Sequence, residues 1–291
     1  CDEVHREMEV RFQKSEALAR QLSREAMETL AEHIDTSACP EGAKPVLVFN
    51  PLAVHRTEMV VCSADFPEDA VVPDVDVFDG QGNLVEACLE HDHGIQWGYR
   101  LPDDRFRETY RRTRVCAGIP MELPPLGYAT YFLRPRESRP FALPDSEAMA
   151  NEFLSVELAP DGTLSVRELA SGLTFRGLNQ LQDSRDAGDE YNYRAPEEDV
   201  TWNLRLEKES QFATPLYQTW ELHGGMSDQG ALAVRCFVTL GRDSRRVDLR
   251  TEIDNRKGNH RLRALFPTDV EADYATVDGQ FDLVRRPIRP W

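Results

Sequence analysis

The densest concentration of reactive side chains runs Asp183-Ser184-Arg185-Asp186-Ala187-Gly188-Asp189-Glu190-Tyr191-Asn192-Tyr193. Four acids, a glycine and two tyrosines suit a sugar-binding loop or a carboxylate pair. Hydrolysis of a glycoside needs two carboxylates, one on each side of the bond that breaks. The plainer alternative is a solvated acidic loop, since connecting segments run over the surface. The spacing matches no calcium loop, whose glycine and distal glutamate fall out of register here.

Two further sets could do chemistry. His91-Asp92-His93 would put two imidazoles on one strand face, and such a pair can hold zinc. No third ligand stands nearby, so a polar strand end before a turn at Gly94 is the simpler account. Trp97, Tyr99, Trp202, Tyr217 and Trp220 could stack on sugar rings, but aromatics at strand spacing more often bury their area in a core. His5 lies on a charged helix and is expected in solvent. The chain has no GxGxxG after a strand, no phosphate-cradling Gly-Lys-Ser/Thr loop, no HExxH and no nucleophile-elbow serine.

The elements that must position these groups fall into three stretches. Over residues 2–34, Val4, Met8, Phe12, Leu18, Leu22, Ala26, Leu30 and Ile34 recur at about helical spacing, uninterrupted by Pro or Gly. Such a stripe needs a partner to pack on. Cys39-Pro40-Glu41-Gly42 ends the pattern, and the period then changes to two. Short apolar runs at Val46–Phe49, Met59–Cys62, Val75–Phe78, Leu84–Leu89, Arg114–Gly118 and Ala129–Leu133 predict an antiparallel sandwich. Pro135 to Asp145 reads as a linker. Beyond it, Leu154, Val156 and Leu158, a turn at Asp161-Gly162, then Leu164 and Val166 predict a hairpin. Leu232 to Leu240 and Val247 to Ile253 alternate cleanly, as long strands with one wet face do.

Composition excludes more than it identifies. The 291 residues carry 51 acids against 34 Lys and Arg, a net charge of −17. That surface repels phosphate backbones and anionic lipid, which argues against nucleic acid and membrane partners. No apolar run is long enough to span a bilayer, and no basic-then-apolar signal peptide opens the chain. Six cysteines are scattered without CxxC spacing; four of them sit in apolar or strand-like runs and read as small buried thiols, and a reducing cytoplasm is the expected compartment.

Several segments converge on one family. Asp2-Glu3-Val4-His5-Arg6-Glu7-Met8, Val48-Phe49-Asn50-Pro51, Pro124-Pro125-Leu126-Gly127-Tyr128, Gly188-Asp189-Glu190-Tyr191-Asn192-Tyr193 and Asn259-His260-Arg261-Leu262-Arg263 through Phe266-Pro267-Thr268 occur in order. Together they resemble glycoside hydrolase family 38, the zinc-dependent retaining α-mannosidases, in its bacterial branch. The resemblance implies a mainly β fold with an N-terminal helical segment. Residues 1–40 would end a helical bundle, 41–138 form a small β-sandwich, and 139–291 form a large, mutarotase-like supersandwich truncated at its C-terminus. It also implies that the zinc ligands, nucleophile and acid/base precede residue 1, so this chain holds no catalytic or metal-binding residue of its own and is inactive alone. Asp189, Tyr191, Tyr193 and Arg286 would line the rim of the sugar pocket. Zinc is then expected in the full-length enzyme and a mannose-containing glycoside as its substrate, with a homo-oligomer open. Two other classes compete: a free-standing carbohydrate-binding module, and a purely structural β scaffold.

Overall fold

The structure, a computed structural model, describes residues 2–100, 102, 104, 106–138, 148–189, 191–226 and 232–288; the side chains of His91, Asp92, His93 and Arg100 lie outside what it describes. The chain divides into two compact units, Cys1–Phe141 and Ala142–Trp291. It is mainly β, with one N-terminal helix and several antiparallel sheets.

The first unit contains α1 (Asp2–Ala31), β1 (Lys44–Phe49), β2 (Arg56–Pro67), β3 (Asp74–Asp79), β4 (Leu84–Val85), β5 (Cys88–Arg100), β6 (Glu108–Leu123) and β7 (Tyr128–Arg136). Asp2 and Glu3 favour the helix start by facing its positive end. Arg20 pairs with Glu16 one turn back at 2.7 Å. No described residue of α1 is buried, so Phe12, Leu18, Leu22 and Leu30, expected to pack on a neighbour, stand open.

Two sheets, ordered β1-β7-β3-β4 and β2-β6-β5, supply the core of this unit. Cys62, Ala64 and Phe66 alternate inward from β2, as do Val115, Ala117, Ile119 and Met121 from β6; Val75, Val77, Tyr131 and Leu133 meet them from the other sheet. Burial pushes the Cys62 thiol up to about 11, with Cys116 nearby adding to it, so it stays protonated and inert.

Three expectations need correction here. The run Leu84–Leu89 is two strands, and β6 starts at Glu108 rather than Arg114. Pro135 belongs to β7, opposite Val75, rather than to a linker. β1 pairs with β7 only from Tyr128 to Leu133, so Pro135 sits where one edge of the strand is open and a missing N–H is tolerated. Trp97 and Tyr99 are 71% and 59% exposed rather than core. β2 stops pairing with β6 at Arg112, so β5 and β6 run on as a ribbon without a third strand to cover those rings. Arg111 and Arg107 lie over them instead, 5.9 and 4.8 Å from the ring centres. The register of β5 also shifts at Leu89/His91 and Asp92/Ile95, which breaks the alternation across His91-Asp92-His93.

Where that ribbon leaves the sheet, Asp65 of β2 accepts hydrogen bonds from Arg112 and Arg114 of β6, Arg114 Nε at 2.7 Å. The Arg114 hydrogen bonds hold the Asp65 carboxyl below its usual range, against an opposing effect of burial.

The second unit contains β8 (Met149–Ala150), β9 (Leu154–Leu158), β10 (Leu164–Glu168), β11 (Thr174–Leu178), β12 (Gln180–Arg185), β13 (Thr201–Leu204), β14 (Glu207–Ala213), β15 (Tyr217–Met226), β16 (Leu232–Gly241), β17 (Val247–Asn255), β18 (His260–Leu265), β19 (Tyr274–Gly279) and β20 (Asp282–Pro287). Its sheets run β11-β10-β9-β8, β13-β12-β18 and β14-β15-β16-β17, beside the two-stranded β19-β20. The first three share one core through Val156, Leu164, Leu181, Leu204, Trp220, Leu222 and Val234 to Leu240. Trp220 is thus core, as its strand spacing predicts, and Tyr217 is buried with it.

The expected hairpin is β9-β10. Asp161 Oδ1 accepts the Thr163 N–H at 3.0 Å, and Gly162 turns the chain at φ +85°. A Cβ at Gly162 would stand 2.3 Å from the Leu206 nitrogen.

Two measurements check this framework. Gly162→Ala should lower stability by about 2–3 kcal/mol in chemical denaturation, through both the positive φ and the clash. Asp65→Asn should lower it by about 1–2 kcal/mol at pH 7. A lowered native pKa stabilises above the unfolded-state value near 3.8 and is lost as pH falls through the native one. The gap between wild type and Asp65→Asn should therefore close below about pH 4.

Candidate functional site

The acidic cluster is not one site but three structural tasks. Asp183 faces inward from β12 beside Leu181 and is fully buried. Its two oxygens contact Lys257 Nζ and His260 Nδ1, and both partner side chains are almost fully buried. His260 Nε2 donates to Asn255 Oδ1 at 3.0 Å. The Lys257 backbone N–H also donates to that oxygen at 3.1 Å, which fixes the amide's orientation. Both ring nitrogens of His260 therefore face oxygen acceptors. Lys257 Nζ also lies 4.8 Å from the centre of the Trp202 ring, opposite Asp183 in the register.

Asp186 and Asp189 shape the loop that follows β12. Asp186 Oδ1 accepts the N–H groups of Gly188 at 2.8 Å and Arg194 at 3.1 Å. Asp189 Oδ1 accepts those of Tyr191 and Asn192, both at 2.9 Å. A Cβ on Gly188 would lie 1.8 Å from the Asn192 carbonyl oxygen, so this close chain approach admits only glycine. The Tyr191 and Asn192 N–H groups hold the exposed Asp189 carboxyl below its usual range, so it stays ionised and cannot serve as a general acid. Asp183 is thus held by buried partners and Asp186 and Asp189 by backbone N–H groups, while Glu190 lies outside the described residues.

What the loop presents is aromatic. Tyr191 is 80% exposed at its tip, whereas Tyr193 is 38% exposed and carries the Arg261 guanidinium 3.4 Å from its ring centre. Arg286 is exposed on β20, opposite Ala275. An open pocket of about 360 Å³ adjoins the buried cluster, lined by Leu181, Ile253, Asn255, His260 and Leu262 among others.

The residues that sequence reasoning missed are Lys257, His260 and Asn255. The signal lay in Asn259-His260-Arg261-Leu262-Arg263, where a His opens an otherwise alternating strand. Among the described residues, no three His, Cys, Asp or Glu side chains gather as a metal site, so this part of the chain does not fit zinc. His91 and His93 lie outside that statement.

A β-rich region with these features falls in a known class, the C-terminal domains of glycosyl hydrolases. The model for glycosyl hydrolases family 38 C-terminal domain 1 matches residues 64–135, and that for the glycosyl hydrolases family 38 C-terminal domain matches residues 149–290. The chain belongs to glycosyl hydrolase family 38. It is 26% identical, over 347 aligned positions, to the "Putative mannosylglycerate hydrolase" of Halalkalibacterium halodurans, covering 99% of this chain. An α-mannosidase from Enterococcus faecalis V583 superposes with TM-score 0.87 at 25% identity over 99% of the chain. A second family 38 structure from Enterococcus faecalis gives 0.86 at 25% identity, again over 99%. The chain spans 38–40% of the length of these three proteins.

Replacing Lys257 tests the buried cluster. Lys257→Met removes the ammonium partner of a fully buried carboxylate and should destabilise the second unit by about 3–5 kcal/mol. Thermal unfolding followed by Trp fluorescence measures it; a loss below about 1 kcal/mol would show that Asp183 does not need this partner.

Proposed function

We propose that this chain is the non-catalytic β portion of a retaining, zinc-dependent glycosidase that hydrolyses α-mannosidic bonds, and that it shapes the rim of the sugar site. Family membership supports the hydrolase class, and the names of the relatives support a mannoside. Zinc ligands, nucleophile and acid/base belong, on this reading, to the remainder of the enzyme. Residues 1–40 close a helical bundle, 41–138 form a small β-sandwich, and 139–291 form a mutarotase-like supersandwich. The five cysteines among the described residues are free, which accords with a cytoplasmic setting.

The observation that carries the rim assignment is the exposed Tyr191 phenol on a loop pinned by Asp186 and Asp189. A phenol held still can donate to charge that develops on a sugar oxygen without reorganising first. Asp189 and Tyr193 frame it. Arg286, exposed on β20, suits a sugar hydroxyl or the carboxylate of an anionic aglycone such as glycerate.

Two experiments test the proposal. Purified 1–291 should release no mannose from a chromogenic α-mannoside and bind no stoichiometric zinc. In the complete enzyme, Tyr191→Phe and Arg286→Lys should each lower kcat/KM at least tenfold. Unchanged kinetics in both would remove the rim assignment.

A further inference from the structure

We infer that Asp183, Lys257 and His260 are positioning residues for the sugar site, acting through Arg261 and Tyr193 on the loop that presents Tyr191. The inference rests on the rim reading above.

The two Asx caps set the internal shape of loop 186–194, but neither fixes where the loop lies. Placement comes from the strands beside it. β12 ends at Arg185, so the loop starts three residues after the buried Asp183. β18 begins at His260, and the register pairs Ser184 with Arg261 and Arg185 with His260. Asp183 and His260 meet on the inner face of this sheet. Arg261, the next residue, projects to the opposite face. There its guanidinium lies against Tyr193, inside the loop. The Asp186 N–H donates to the Asn259 carbonyl at 3.0 Å, joining the loop to the residue before His260.

The three ties thus form one chain of contacts. The carboxylate holds Lys257 and His260, which brackets the turn containing Asn259. That turn and the following Arg261 then hold the loop at both of its ends. Disturbing the clamp should move the exposed phenol without altering its chemistry. Misplacing a group by about 1 Å can lower rate about 100-fold.

Amide hydrogen exchange on the chain itself gives the first readout. Arg261→Ala should speed exchange of the Asp186 and Ala187 amides at least tenfold, while the β15 and β16 amides hold. Kinetics of the complete enzyme give the second. Arg261→Ala and Tyr193→Ala should lower kcat/KM about 10- to 100-fold, chiefly in kcat. If Arg261→Ala matches wild type in both readouts while Tyr191→Phe is impaired, the positioning role is wrong and the rim reading stands. If Tyr191→Phe is also unimpaired, both are wrong. Because these substitutions lie outside the buried cluster, they read the clamp without emptying the core.

Discussion

A buried carboxylate, Asp183, organises the second unit. Removing an ion from water costs several kcal/mol even after relaxation, and only close partners with good geometry offset it. Asp183 has two, Lys257 and His260, which reach it from the turn after β17 and the start of β18. Neither partner is near it in sequence; Lys257 is 74 residues away and His260 is 77. The charge is satisfied only when β12, β18 and the intervening turn are all in register. A slip of one residue would turn Asp183 to the outer face and leave Lys257 and His260 inside without it. The cluster therefore specifies an arrangement that apolar packing alone would define less sharply.

The segments that carry the family resemblance act in the same way. Asn50 and the Pro124–Tyr128 stretch, distant in sequence, are joined in space. Asn50 Nδ2 donates to the carbonyls of Val54 at 2.8 Å and Pro124 at 2.9 Å, while its Oδ1 accepts the Leu52 N–H. Its own N–H reaches Gly127 O at 2.8 Å. A buried amide that satisfies a turn on one side and a loop on the other cannot be exchanged for an apolar side chain without leaving backbone groups unpaired. Gly188 to Tyr193 and Asn259 to Arg263 form the corresponding pair in the second unit. These motifs are held by mutual contact.

Much of the architecture could be read from periodicity. The helix over 2–34 is present to Ala31, and the Asp161-Gly162 hairpin forms as its turn chemistry requires. The clean alternation from Leu232 to Leu240 buries every second residue. Local pattern could not reveal which residues meet across sheets. Asp183 looked like its acidic neighbours because burial is set by β18, not by the surrounding composition. Trp97 and Tyr99 carried the right spacing for a core, but coverage depends on how far β2 extends, and it ends opposite Arg112. Asp186 and Asp189 resembled a catalytic pair because carboxylates that cap N–H groups have the same formula as carboxylates that attack.

That ambiguity bears on how a β region can serve chemistry carried out elsewhere. A glycosidase carboxylate must either move a proton or attack a carbon, and needs at least one unencumbered oxygen facing the sugar. Both oxygens of Asp183 are engaged, by Lys257 and His260, and Asp189 is stabilised in its ionised form by the backbone it caps. What the loop exposes is the Tyr191 phenol, on a backbone that Asp189 caps. Such a group gains from rigidity more than from reactivity, because a preorganised donor works only while its support keeps it in place. The acids of this segment supply that support.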